Sequence, residues 1–293
     1  MVVELHASVL TTNGSAASGP PDARFPYWSF TKTIIAICAM KLMQAGRLDL
    51  DATLPDQSFS MWELLRHDAR LPDYGQLPDY HRAVAGGGLP WTAQDMLDRV
   101  ATALPARTDG WTYSNIGYMF ARDHLQHCAD EVFGDMVQRL ICRPLGLKTV
   151  RLATAQQDFA GLHWPEAANY NPAWVYHGCL IGNAAEAARI LHALMSGELL
   201  APSLTRKMLD ALPVGGALQG RPWQSCGYGL GLMIGRMQGA GLAIGHTGGG
   251  PFSTNAIYHF PDMPNAPTVA TFIHGTDEGA AEYQAVRLAT GLR

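Results

Sequence analysis

Charge is scarce in this 293-residue chain: only 16% of residues are Asp, Glu, Lys or Arg, 21 basic against 25 acidic, for a formal net charge of −4. No basic cluster interleaves with aromatics, so a nucleic-acid partner is not expected. With 47% hydrophobic residues the chain falls outside the disordered class and can bury a core. No Lys or Arg precedes Arg24, and the first apolar stretch is interrupted by Glu4 and His6. The opening is therefore expected to be a strand and not a leader peptide, and the protein to be cytoplasmic. The longest helix-like apolar run, Thr33 to Met43, is short for a bilayer and contains Lys41, so no membrane partner is expected. The five cysteines, at 38, 128, 142, 179 and 226, are odd in number and form no CxxC pair, as expected of reduced thiols. No serine sits in GxSxG and no HExxH occurs, which removes two common hydrolase classes. His124, His127 and Cys128 lie close together in sequence, but a helix face explains them without a metal. GYGLGLMIG lacks the spacing of a nucleotide loop and is expected to be a strand.

What is present has a clear order. Met1 to Leu10 suits a strand, and TTNGSAASGPPDARFP reads as a turn-rich loop. A helix from about Ser29 to Gln44 is apolar on nearly every face, so it should be interior, with Gly46 as its stop. SMWELLRHDARLPD, TAQDMLDRVATAL, NIGYMFARDHLQHCADEVFGDMVQRLI and AAEAARILHALMSG have helical periods, separated by connectors such as LPDYGQLPDYHRAVAGGGLP. The tail switches to short β-like runs, GYGLGLMIGRM, GLAIGHTG, STNAIYHF and TVATFIHG, then a last helix from about Glu278 to Leu292. The expected fold class is α/β (α+β): an antiparallel sheet flanked by helices, with an inserted mostly helical domain. Residues 1–52 and 218–293 would form the discontinuous α/β domain and 53–217 the insert.

Three short motifs carry possible chemistry. Ser29-Phe30-Thr31-Lys32 heads the apolar helix. Residues three apart share a helix face, so hydroxyl and amine can meet. The helix start offers free N–H groups and a positive potential, which disfavours a charged lysine. A neutral Lys32 could take a proton from Ser29. The alternative is an N-cap serine and a lysine bent into solvent. Tyr113-Ser114-Asn115 stands before another helix, where a phenol and an amide could face a cleft, with charged neighbours lowering the phenol pKa. A capped helix start with an aromatic anchor would look the same. His246-Thr247-Gly248 ends a β-like run, and glycines there let a backbone come close to a ligand; a plain turn would also suit. Trp174, Tyr176, Trp223 and Tyr228 could wall an acyl pocket or pack the core.

In that order and those contexts, SxxK, YxN and HTG resemble the serine β-lactamase and penicillin-binding protein superfamily. The branch it resembles is class C: class C β-lactamases, D-alanyl-D-alanine carboxypeptidases, D-aminopeptidases and the related β-lactamase-fold esterases. MQAGRLDLDATLP, WTYSNIGYMF, RPLGLKTV, HGCLIGNAAEAARILHALMSG and GYGLGLMIG also fall in family order. The resemblance implies a serine hydrolase that forms an acyl-enzyme on Ser29, with Lys32 and Tyr113 sharing the proton transfers and Tyr113 activating water for deacylation. Asn115 would hold Lys32 and the substrate amide, and His246, Thr247 and Gly248 would line the strand edge against a carboxylate or carbonyl. The N–H groups of Ser29 and Gly249 would bind the oxyanion. It implies no metal or organic cofactor, and a small ester, amide or β-lactam as substrate. The alternative is a non-catalytic or single-turnover acyl-binding protein that retains the fold. Two departures stand out: His246 replaces the lysine usual in β-lactamases, and LLRHDARLPDY replaces the usual LLTHTSGL.

Overall fold

Short apolar runs from both ends of the chain pair into one antiparallel sheet in the computed structural model, which describes residues 4–291. The first three positions of the expected leading strand, and Leu292 of the expected last helix, lie outside the described residues. Among the described residues the strands are β1 (Leu5–Thr11), β2 (Gly14–Ser18), β3 (Phe25–Pro26), β4 (Arg151–Ala153), β5 (Cys179–Gly182), β6 (Leu212–Gly215), β7 (Trp223–Tyr228), β8 (Met233–Met237), β9 (Gly241–Gly249), β10 (Ser253–His259) and β11 (Thr268–His274). Eight of them form the main sheet, in the order β2-β1-β11-β10-β9-β8-β7-β6, while β3, β5 and β4 make a small second sheet.

The helices are α1 (Phe30–Gln44), α2 (Met61–Leu65), α3 (Pro78–Ala85), α4 (Ala93–Ala103), α5 (Asn115–Ala129), α6 (Phe133–Val137), α7 (Arg143–Leu145), α8 (Gln156–Phe159), α9 (Ala184–Met195), α10 (Pro202–Met208) and α11 (Glu278–Thr290). α1 and α9 cover one face of the main sheet, and α11 covers the other. The central strands β10 and β11 are therefore buried almost throughout, because both faces are covered. Alternation assigns the residues: Ile257 and Ala270 join the core on the α1 side, while Ala256, Tyr258 and Val269 join the core under α11. No helix among the described residues is long and apolar enough to cross a membrane.

The expected buried helix is α1, with Ser29 as its N-cap and all but Lys41, Met43 and Gln44 buried. Other expectations need correction. GSAAS, read as loop, is the edge strand β2, paired from Thr11↔Gly14 to Ala7↔Ser18; its small, exposed residues give no alternation to read. The 115–141 stretch is not one helix, because Asp130 turns left-handed at φ 50° and ends α5. SMWELLRHDARLPD holds only the short α2, since His67 and Arg70 take φ 57° and 54°. Conversely, the connector after residue 70 contains α3, started by Pro78 at its first turn.

Two elements inside the 53–217 stretch lie on the main sheet: α9 packs on β1, β10 and β11, and β6 pairs with β7. We propose that the helical insert runs from 53 to the start of α9. The small sheet joins it to α1, with Tyr27 N–H donating to Leu180 O at 2.7 Å and Leu180 N–H to Thr31 Oγ1 at 3.0 Å.

Candidate active site

The site is assembled around the first turn of α1. Tyr27 is anchored by its hydroxyl, which donates to Asn183 O at 2.8 Å. Trp28 then takes the left-handed conformation, φ 44°, which costs a bulky residue on the order of 1 kcal/mol or more. Packing holds it there: the indole N–H donates to Ser253 Oγ at 3.0 Å, and Phe159, Tyr170 and Phe252 meet the ring edge-to-face. The end of β9 presses directly on this corner. A Cβ at Gly248 would fall 2.8 Å from both Trp28 Cβ and Tyr27 O, and one at Gly250 only 2.3 Å from the Trp28 ring. Gly248 and Gly250 are thus a steric requirement of the Trp28–Ser29 corner.

Lys32 is fully buried, and its Nζ lies 3.0 Å from Ser29 Oγ, 2.7 Å from Asn115 Oδ1 and 3.2 Å from His177 Nε2. All three partners are uncharged. Burial lowers its pKa from 10.5 to about 7, with the negative charge of Asp73 pulling the other way. Asn115 opens α5 and is fixed from behind by Asp73, which accepts its N–H at 2.7 Å and its Nδ2–H at 3.1 Å. The amide oxygen must therefore face Lys32. Burial raises the Asp73 pKa, opposed by those hydrogen bonds and by Lys32.

His177 is buried, and desolvation pushes its pKa well below 6.5. A neutral ring facing an amine accepts at Nε2 and keeps its proton on Nδ1. Tyr113 is half-buried and its phenol faces Ser29, a contact that lowers its pKa, but burial prevails and raises it well above 10. The expected lowering of this pKa is corrected: desolvation outweighs the neighbouring groups. Behind Tyr113, the His67 ring packs at 4.3 Å between centroids, while its Nδ1 accepts the Ser114 N–H at 3.0 Å.

The HTG segment is placed differently from expectation. His246 is buried with Nδ1 donating to Thr247 O at 2.6 Å and Nε2 accepting from the Tyr228 hydroxyl at 2.9 Å. Burial lowers its pKa to about 3, so at neutral pH it offers no charge to a carboxylate. Thr247 points to the opposite face of β9, where its hydroxyl donates to Glu282 at 2.5 Å and meets the Tyr258 hydroxyl at 2.7 Å. Neither side chain lines the cavity; Gly249 does. The side chain of Ser29 thus meets those of Lys32 and Tyr113, with Asn115 joining through Lys32, while the polar atoms of His246 and Thr247 are taken by internal partners.

A cavity of about 390 Å³ opens over Ser29, Asn115 and His177, walled by Trp28, Tyr74, Tyr80 and Tyr170. Trp174, Tyr176, Trp223 and Tyr228 are core residues outside it. Asp73, His67 and His177 escaped the sequence analysis. Among the described residues the one cluster with three metal-type ligands is Glu4, His6 and His163, away from His124 and His127.

An antiparallel sheet between helical layers, with the insert's helices closing over the start of α1, defines a β-lactamase-like α/β protein. The chain belongs to the Beta-lactamase family, whose profile matches residues 7–290. Similar solved structures include the D-stereospecific amidohydrolase from Streptomyces sp., 20% identical over 99% of this chain and 94% of that one, with TM-score 0.79. The D-amino acid amidase from Ochrobactrum anthropi SV3 is also 20% identical, over 98% and 95% of the two chains, with TM-score 0.82. The penicillin binding protein from Bacillus halodurans is 18% identical over 97% and 95%, with TM-score 0.71. At these identities the likeness is one of fold.

Proposed function

We propose that this chain is a serine hydrolase that acylates Ser29 with small amides or esters, D-amino-acid amides among them. One observation carries the proposal: a fully buried lysine with a pKa near 7 lies 3.0 Å from the serine hydroxyl. A neutral amine has two N–H donors and one lone pair. Asn115 Oδ1 and His177 Nε2 are both acceptors and take the two donors, so the lone pair is left for the Ser29 O–H. His177 and the Asp73–Asn115 pair thereby orient Lys32 as a general base.

In the first step Ser29 Oγ bonds to the carbonyl carbon while its proton passes to Lys32. The N–H groups of Ser29 and Gly249 hold the oxyanion, each contributing about 3 kcal/mol. Collapse breaks the bond to the leaving amine or alkoxide, which takes a proton from Tyr113, a phenol kept neutral by its burial. Tyr113 is restored by the proton on Lys32. Water then attacks the acyl carbon as Lys32 takes its proton; collapse breaks the bond to Ser29 Oγ, which takes that proton back from Lys32, and the acid product leaves. The amidases among the fold relatives support the amide assignment.

The test is a panel of nitrophenyl esters, aminoacyl anilides and nitrocefin, run on wild type and Ser29→Ala, with a fluorophosphonate adduct mapped by mass spectrometry. Turnover lost in Ser29→Ala, with the adduct on Ser29, is the expected result. Turnover surviving in the folded variant overturns the assignment. A stable adduct with no turnover of any substrate would instead favour a single-turnover acyl-binding protein.

A further inference from the structure

The cavity carries a charge that the proposed chemistry does not use. Among the described residues lining it, Glu278 is the one Asp, Glu, Lys or Arg. It opens α11, and its Oε2 lies 2.6 Å from an Arg221 nitrogen. Arg221 is mainly committed elsewhere. It forks onto the fully buried Glu282, donating from Nε at 2.7 Å and again from Nη2, and Glu282 also accepts from Trp223 Nε1 at 3.0 Å and Thr247 at 2.5 Å. One guanidinium faces two carboxylates; burial raises the Glu278 pKa and Arg221 opposes that rise, so with both carboxylates ionised the cluster carries a unit of negative charge. Glu282 is sealed inside, and the surplus faces outward on Glu278.

Its position gives that charge a consequence. A Cβ on Gly249 would lie 3.1 Å from Glu278 Oε1, so the carboxylate stands beside the backbone proposed to receive the oxyanion. Net negative charge there, left over after Arg221 is shared between two carboxylates, opposes the negative charge that develops on the carbonyl oxygen. It also repels any substrate carboxylate. A substrate carrying its own cation next to the reacting carbonyl removes both penalties.

We propose that Glu278 is the subsite for a primary ammonium group on the acyl side of the substrate, which makes aminoacyl amides and esters the preferred class and disfavours acyl groups bearing a carboxylate, β-lactams included. The inference rests on acylation at Ser29. The ammonium sits on the carbon next to the carbonyl, so a carboxylate beside the oxyanion hole is placed to meet it. Asp277, adjacent in sequence, caps α11 by accepting the Ala280 N–H at 3.1 Å and adds to the negative potential.

The experiment compares kcat/KM for an aminoacyl anilide with a free amine and its N-acetylated counterpart, in wild type and Glu278→Gln. Wild type should prefer the free amine by at least about tenfold, and Glu278→Gln should collapse that ratio towards one. Equal rates on the two substrates in wild type, or an unchanged ratio in Glu278→Gln, overturn the proposal. Labelling of wild-type Ser29 by a neutral fluorophosphonate, which carries no ammonium, reports separately on the nucleophile. If labelling succeeds while the ratio is flat, the subsite fails and the acyl-enzyme assignment stands. If Glu278→Gln does not fold, the wild-type ratio still decides through its pH dependence. The groups facing Glu278 are Arg221, Glu282 and Asp277, with Lys32 and Tyr113 across the cavity; titration of Lys32 affects both substrates alike and cancels in the ratio, so the preference should fade above about pH 8 as the substrate amine deprotonates. A ratio constant across that range counts against the subsite.

Discussion

Strand β9 separates two cations that the protein treats in opposite ways. On the α1 side, Lys32 meets a hydroxyl, an amide oxygen and a neutral imidazole, and its pKa falls to about 7. On the α11 side, Arg221 meets Glu278 and Glu282, and its pKa is raised. Desolvation acts against the charge of both. The partners decide: neutral acceptors orient an amine without holding its proton, whereas carboxylates hold a charge in place. The acid that acts most strongly on Lys32, Asp73, does so through Asn115 and through space, enough to orient the amine without locking it in the charged form.

The contrast can be broken most severely at its reactive side. Lys32→Arg places a guanidinium that cannot lose its proton in a pocket built for a neutral base, so kcat/KM should fall by about a thousandfold or more. A pH-rate profile retaining wild-type rates would contradict the proposed role. On the other side, Glu282→Gln leaves Arg221 with one carboxylate at the cavity rim. Stability should drop by about 3 kcal/mol, read from denaturant midpoints.

Asp73→Asn tests the coupling more gently. Removing that negative charge lowers the Lys32 pKa further, so the acid limb of the pH-rate profile should move to lower pH; a shift upward would contradict the electrostatics. The smallest effect is in stability. Because the folded Lys32 pKa, about 7, lies below 10.5, the unfolded chain binds the extra proton between those values, and its contribution to stability rises with pH across that window. Lys32→Met should flatten that slope. His246 titrates near 3 when folded against 6.5 when free, so its contribution is lost as pH falls from 6.5 towards 3.

Much of the fold was legible because its signals are local. The apolar run of α1, the runs of β9, β10 and β11 and the SxxK spacing all announce themselves within a dozen residues, whereas GYGLGLMIGRM, read as one strand, is the end of β7, a turn and β8. The rest of the site was not, and one repeated tetrapeptide shows why. LPDY occurs at 71–74 and again at 77–80. The first aspartate, Asp73, is buried and holds Asn115 in place, whereas Asp79 is exposed beside Arg82. Identical neighbours give opposite roles because the fold brings α5 to one and solvent to the other. His177 was hidden likewise, since its contact with Lys32 spans 145 residues of chain. HTG misled in a different way. Side chains on a strand alternate, so His246 and Thr247 could not both face the cleft.

The glycine contact with Trp28 limits how this protein can be retargeted by evolution. Residues 248 and 250 have no room to grow, so the floor beneath Ser29 is closed to remodelling. New substrate preferences must enter along the opposite rim, through Tyr74, Tyr80, Val84 and Tyr170, or through position 278. If the proposed hydrolysis holds, lineages that diverge in substrate should vary at those positions first, while the corner carrying Ser29, the proposed nucleophile, stays the same.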